Sequence, residues 1–183
     1  MSFADRPLYL APESLAPESA EPSFLYFAYG SCMCPVDLKR SLGEPTHAYV
    51  IGHATLRGYR LGFFCYSKFR DCGVLDVVPD EQAVVEGVLY RLPLRLSDRL
   101  DAREVSYRHE IITVQANGRT YNNVRTYTAL HKLPEEKAPN DWYFNVVLRG
   151  AVTCRLPEAY CWHLCHHMHQ LQELGRGDRL KTA

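Results

Sequence analysis

The chain has 183 residues, 46% hydrophobic and 23% charged, which suits one folded domain with a sizeable core. Lys plus Arg and Asp plus Glu both total 21, so the formal net charge is zero. That balance lacks the basic excess of a nucleic-acid binder or of a protein drawn to anionic membranes, and points instead to a small-molecule ligand or a protein partner. No run approaches the ~18 apolar residues of a membrane span. Met1 to Pro22 also lacks the basic-then-apolar order of a signal peptide. The expectation is a cytoplasmic protein without nucleic-acid or membrane partners, its seven cysteines held as free thiols.

The first segment, 1–22, carries Pro7, Pro12, Pro17 and Pro22 and repeats Leu-Ala-Pro-Glu-Ser from Leu10 and again from Leu15. Proline removes ladder donors, so this reads as an extended arm ahead of a domain over 23–183. Phe24-Leu25-Tyr26-Phe27-Ala28 is a short continuous apolar run, the pattern of a buried strand. Pro35 to Leu42, bounded by Gly43, predicts a short helix. β-rich runs follow near 46–55, 59–66, 73–78 and 84–91, separated by Gly58, Pro79 and other turn residues. Ser97 to Glu104 reads as a short helix capped by Ser97.

Further on, Ile111 to Val114, Asn117-Gly118 and Val124 to Tyr127 form a hairpin signal, because Asn-Gly supplies the two positive-φ residues of a tight turn. From Pro157 to Leu174, Tyr160, Leu164, Met168 and Leu171 share one face of a helix. Runs of strands with few helices predict an α+β domain, a small curled mixed sheet or barrel with peripheral helices. Alternating βαβ units are missing, which excludes a Rossmann fold.

The segment Tyr29-Gly30-Ser31-Cys32-Met33 sits where a buried strand ends and a helix begins. Gly30 permits a sharp turn or a close approach, and successive amides from Gly30 to Met33 can bind a carboxylate as backbone nests do. On spacing alone the same glycine is also an ordinary turn.

The residues carry a resemblance as well. Ser23-Phe-Leu-Tyr-Phe-Ala-Tyr-Gly-Ser resembles the opening strand and substrate loop of the γ-glutamylcyclotransferase-like family, whose loop commonly reads Tyr-Gly-Ser-Asn. Cys32 stands where that asparagine is usual, which keeps the backbone amide and replaces the side chain. Leu100-Asp101-Ala102-Arg103-Glu104 resembles the family's Leu-Asp-x-x-Glu, and Glu104 matches its catalytic acid/base. Val105 follows where glycine is frequent. Tyr143, Gly150-Ala151 and Leu156-Pro157-x-x-Tyr160 resemble the family's late block.

The resemblance spans about 23–165. It implies a cyclotransferase that releases 5-oxoproline and a free amine or amino acid from a γ-glutamyl compound, with no metal or cofactor. It also implies substrate contacts at Tyr29, Gly30, Ser31, Cys32, Met33, Cys34 and Tyr143, and a possible homodimer. A non-catalytic binding module on the same fold is the alternative. Without the resemblance, Glu104 reads as a surface carboxylate paired with Arg103 or Arg108.

Four further patterns remain. Cys161, Cys165, His163, His166, His167 and His169 look like a metal site, but one helix cannot aim four ligands at one point, so buried thiols and a polar histidine face are expected. Cys32-x-Cys34 offers a thiol nucleophile if a histidine lies within reach. Tyr66 to Asp71 is either an exposed connection or a pocket wall that selects the leaving amine. Asp76, inside an apolar run, needs a partner if it faces inward.

Overall fold

The computed structural model describes residues 21–181, with side chains described as far as Gly177. Most of the proline-rich arm lies outside the described residues. At its end, Glu21 pairs with Arg95 at 2.7 Å, and the Pro22 carbonyl accepts from the Leu94 amide at 2.7 Å.

Five strands close into a barrel in the order β1-β3-β2-β4-β5. They are β1 (Ser23–Ala28), β2 (Val50–Ser67), β3 (Cys72–Pro93), β4 (Tyr107–Ala116) and β5 (Arg119–Ala129). Neighbours run antiparallel except β1 and β5, whose parallel pairing at Leu25↔Val124 and Tyr26↔Arg125 closes the ring and makes the sheet mixed. Closure removes free edges that would otherwise template aggregation. Phe27, Phe63, Leu56, Leu89, Tyr90 and Leu92 are fully buried, each stabilising the fold by about 1.5–3 kcal/mol. The predicted α+β class and curled barrel are what the chain forms.

Two expectations need correction in the sheet. The four β-rich runs form two long strands. Arg57 pairs with Val84 and Tyr59 with Pro79, so Gly58 (φ 80°) alone faces residues 80–83. Gly58 and Pro79 interrupt the pattern locally, yet the ladder resumes beyond them. A proline without an N–H is tolerated where pairing is already broken. Residues 46–49 are not strand either, since His47–Tyr49 is a 3-10 turn. The hairpin is as expected, with Asn117 at φ 50° and Gly118 at φ 71° joining β4 to β5.

Among the described residues four α-helices flank the barrel: α1 (Pro35–Leu42), α2 (Ser97–Arg103), α3 (Asp141–Thr153) and α4 (Glu158–Lys181). Pro35 opens α1, and Gly43 (φ 78°) closes it by donating to the Lys39 carbonyl. Ser97 is not the cap of α2. Leu96 holds that position and Ser97 Oγ accepts from Arg125 instead. Helix α3 carried no sequence expectation, although Asn140 caps it by accepting from the Tyr143 amide. Helix α4 runs past Leu174 across Gly175 and Gly177, and buries Leu164 and Met168 as its periodicity predicts. Among the described residues no helix is long and apolar enough to cross a membrane.

Candidate active site

The strand β1 delivers Tyr29, Gly30, Ser31 and Cys32 to one end of the barrel, where Ser31–Met33 makes a single 3-10 turn. The Tyr90 hydroxyl, on β3, donates to the carbonyls of Cys32 and Met33 at 3.1 Å each and fixes the turn to the barrel. Within the turn, the Met33 amide bonds Gly30 O and the Cys34 amide bonds Ser31 O. The amides of Ser31 and Cys32 precede these bonds. As at any helix start, they have no acceptor within the turn.

Gly30 has φ −119°, ordinary for any residue, so its need is space rather than a special turn. A Cβ there would lie 3.1 Å from the Tyr143 hydroxyl. Gly150 of α3 has the same role below the turn, where a Cβ would meet Cys34 N at 2.6 Å. The two glycines let α3 press Tyr143 against the loop. Tyr143 is 3% exposed, and its hydroxyl accepts from the Leu75 amide at 3.1 Å. Burial raises its phenol well above the usual value, so the hydroxyl keeps its proton.

Glu104 follows α2 and reaches the same place. Its Oε1 accepts from the Cys32 thiol at 3.3 Å and lies 3.5 Å from Arg103 Nε. Burial raises the Glu104 carboxyl above the ordinary range, against the opposing pull of Arg103 and the Cys32 hydrogen bond. The thiol itself is pushed up to about 12 by burial and remains a neutral donor. That argues against the thiol-nucleophile reading, since a nucleophile must be thiolate and Cys32 meets a glutamate rather than a histidine.

Arg103, 11% exposed at its side chain, ties the parts together. It donates to Asp37 at 2.6 Å, to Ser31 Oγ at 2.9 Å and to Ser41 Oγ. Asp37, on α1 and 5% exposed, is the buried counter-charge. Neither Arg103 nor Asp37 was a site candidate from sequence. Arg103 appeared only as a surface partner for Glu104, and nothing in the local pattern marks Asp37 as buried.

These residues line one cavity of about 730 Å³. Tyr29, Gly30, Ser31, Cys32, Glu104 and Tyr143 all border it. Met33 and Cys34 do not. Both are buried beneath the loop against Gly150, with their amides already bonded. The Tyr29 hydroxyl donates to the Tyr127 carbonyl, so it anchors the wall. A further wall is the connection between β2 and β3, of which Tyr66 to Arg70 border the cavity. It is thus both an exposed connection and a pocket wall.

The remaining motifs resolve as local structure. Asp76 is fully buried and accepts from the Ala129 amide at 2.9 Å and from Lys132. Cys161 is buried, and His167 meets Glu136 at 3.0 Å. Among the described residues no cluster of three or more His, Cys, Asp or Glu is placed to hold a metal ion.

The barrel with its end cavity is a γ-glutamylcyclotransferase-like fold, and the chain resembles that family in sequence as well. Residues 84–164 match the AIG2-like family. The chain is 34% identical over 150 residues to the Bacillus subtilis protein named "Putative gamma-glutamylcyclotransferase YkqA", covering 80% of this chain and 52% of that one. The crystal structure of YkqA superposes with a TM-score of 0.74 at 32% identity, covering 82% of this chain and 55% of YkqA. The chain therefore spans about half the length of this relative. A solved "Gamma-glutamyl cyclotransferase" has a TM-score of 0.70 at 22% identity over 78% of this chain and 86% of its own. An uncharacterized Homo sapiens protein has a TM-score of 0.68 at 23% identity over the same shares.

Proposed function

We propose that the protein is a γ-glutamyl cyclotransferase, releasing 5-oxoproline and a free amine or amino acid from a γ-glutamyl compound with Glu104 as general base and then general acid. The observation that supports this best is the meeting of Glu104 with the Gly30–Cys32 loop in one cavity, although 72 residues separate Cys32 from Glu104. The cavity border also carries Lys68, Arg70, Arg99 and Arg103 against the single carboxylate of Glu104, which favours an anionic substrate.

In this reading the amides of Ser31 and Cys32 hold the α-carboxylate of the glutamyl group and keep it folded. The α-amine loses a proton to Glu104 and attacks its own γ-carbonyl carbon. A C–N bond forms and the carbonyl becomes an oxyanion, stabilised by the Tyr143 hydroxyl proton. Collapse breaks the bond to the leaving nitrogen, which takes the proton from Glu104. No water is consumed. Ring closure within one bound molecule gains several kcal/mol from high effective molarity. A carboxyl raised toward neutral pH suits a group that must both take and return a proton.

Glu104→Gln is expected to lower kcat/KM by ~10²–10⁴-fold, measured as 5-oxoproline release from a panel of γ-glutamyl compounds. It is also expected to melt no lower than the wild type. A raised carboxyl means that the folded state binds the proton more tightly than the unfolded state. Stability is therefore lost as pH rises from the ordinary carboxylate value through the raised one, and removing the charge relieves this above that window. Full activity in a folded Glu104→Gln variant overturns the acid/base role. If no compound turns over while 5-oxoproline raises the melting temperature, the fold acts as a binding module.

A further inference from the structure

Two cations and two carboxylates meet beside the loop. Arg103 donates to Asp37 Oδ2 at 2.6 Å, to Ser31 Oγ at 2.9 Å and to Ser41 Oγ. Its remaining edge, Nε, lies 3.5 Å from Glu104 Oε1. Arg70 stacks on the Trp142 and Tyr143 rings, at 5.2 and 5.5 Å from their centroids. Its Nη2 comes within 4.0 Å of the same Asp37 oxygen that Arg103 uses. One carboxylate therefore sits between both arginines.

Asp37 belongs to the first turn of α1, is 5% exposed and does not border the cavity. It cannot touch a substrate held there. Its charge nevertheless bears on Glu104, since both arginines favour the ionised Glu104 carboxyl and Asp37 opposes them. An arginine fork pairs most strongly with a carboxylate when two of its donors engage together. Asp37, Ser31 and Ser41 occupy the Nη donors of Arg103, so only Nε is turned toward Glu104. A glutamate closed into a full arginine pair would hold its charge too firmly to serve as a base.

We propose that Asp37 is a positioning residue for Glu104: it holds Arg103 and draws Arg70, so that neither cation closes on the Glu104 carboxylate, which stays free to take a proton and give it back. What that proton does rests on the cyclotransferase reading above. The other titratable groups around Glu104 stay neutral and do not replace Asp37. Tyr26, Tyr29, Cys65 of β2 and Tyr143 of α3 are pushed up by burial, and the Cys32 thiol is pushed up to about 12.

The test is the titration of Glu104 itself, without substrate. Isotope-labelled glutamate carboxyl carbons are followed by NMR against pH, and the Glu104 signal is assigned by its loss in Glu104→Gln. Asp37→Asn keeps the shape and removes the charge. The midpoint is expected to fall by ~1 pH unit or more, because the released cations then favour the ionised form. Adding Arg103→Gln to Asp37→Asn removes the nearer cation and is expected to bring the midpoint back up. Asp37→Ser, smaller and also uncharged, serves if the Asn variant does not fold.

An unchanged midpoint in the uncharged variant overturns the proposal, because a merely structural Asp37 would lower the melting temperature and leave the titration alone. A fall that Arg103→Gln does not reverse overturns it too. Turnover is read separately, and the acid limb of kcat/KM is expected to follow the titration. A shifted titration in a protein that turns over no γ-glutamyl compound sinks the cyclotransferase reading and leaves the hold of Asp37 on Glu104 standing.

Discussion

The two walls of the cavity are built by opposite means. One wall, Tyr29–Cys32 with Arg103 and Glu104, is a polar network in which the Tyr29 hydroxyl, the Cys32 thiol and the Arg103 guanidinium all have acceptors, while the Ser31 and Cys32 amides stay open. The other, Tyr66–Asp71, is a hairpin connection that presents an exposed phenylalanine and an arginine held by stacking on Trp142 and Tyr143. A network bonded in this way cannot move without losing several bonds at once, which suits proton transfer at a fixed distance.

The strongest way to break the first wall is Arg103→Met. It leaves Asp37 buried without its main partner and frees Ser31 and Ser41. A loss of about 3–5 kcal/mol is expected, read as a drop of roughly 10 °C in melting temperature, with activity lost as well. A melting temperature within a degree or two of the wild type would mean that the network is not what holds the wall.

The pH profile sharpens the same wall more gently. In the proposed mechanism Glu104 must be ionised to take the proton, so kcat/KM is expected to fall on the acid side at a pH above the usual carboxylate range. The Cys32 thiol donates to the charged form and so lowers the Glu104 carboxyl. Cys32→Ala is expected to move the acid limb to higher pH, while Cys32→Ser keeps a donor and holds it near the wild-type position. Identical limbs in all three proteins would remove Cys32 from the mechanism.

The smallest effect belongs to the second wall. Phe69→Ala is expected to change stability by no more than about 0.5 kcal/mol in chemical denaturation, because the ring has little contact to lose. A clear destabilisation would show that the hairpin wall is packed rather than open.

Much of the fold was legible because it is local. The apolar run at Phe24–Ala28, the Pro35 and Gly43 boundaries of α1, the Asn117-Gly118 turn and the Tyr160–Leu171 face each act within a few residues, where steric and hydrogen-bond preferences decide. Gly58 and Pro79 misled for the same reason. They break a strand pattern locally, whereas the ladder that carries β2 and β3 past them depends on pairing between strands. Helix α3 escaped notice although Asn140-Asp141 carries an N-cap signal, and with it the reason why Tyr143 reaches the loop.

For the candidate site, the sequence alone offered a loop with amides at Ser31 and Cys32 and, through the resemblance, a glutamate at 104 and a tyrosine at 143. Only the tertiary structure decided that they share a cavity, that Met33 and Cys34 lie beneath it, and that Arg103 is spent on Asp37. Those outcomes depend on barrel closure and on the pressing of α3 against the loop through Gly30 and Gly150. Such contacts join residues some 70 or more positions apart, and no preference acting along a few residues of chain can encode them.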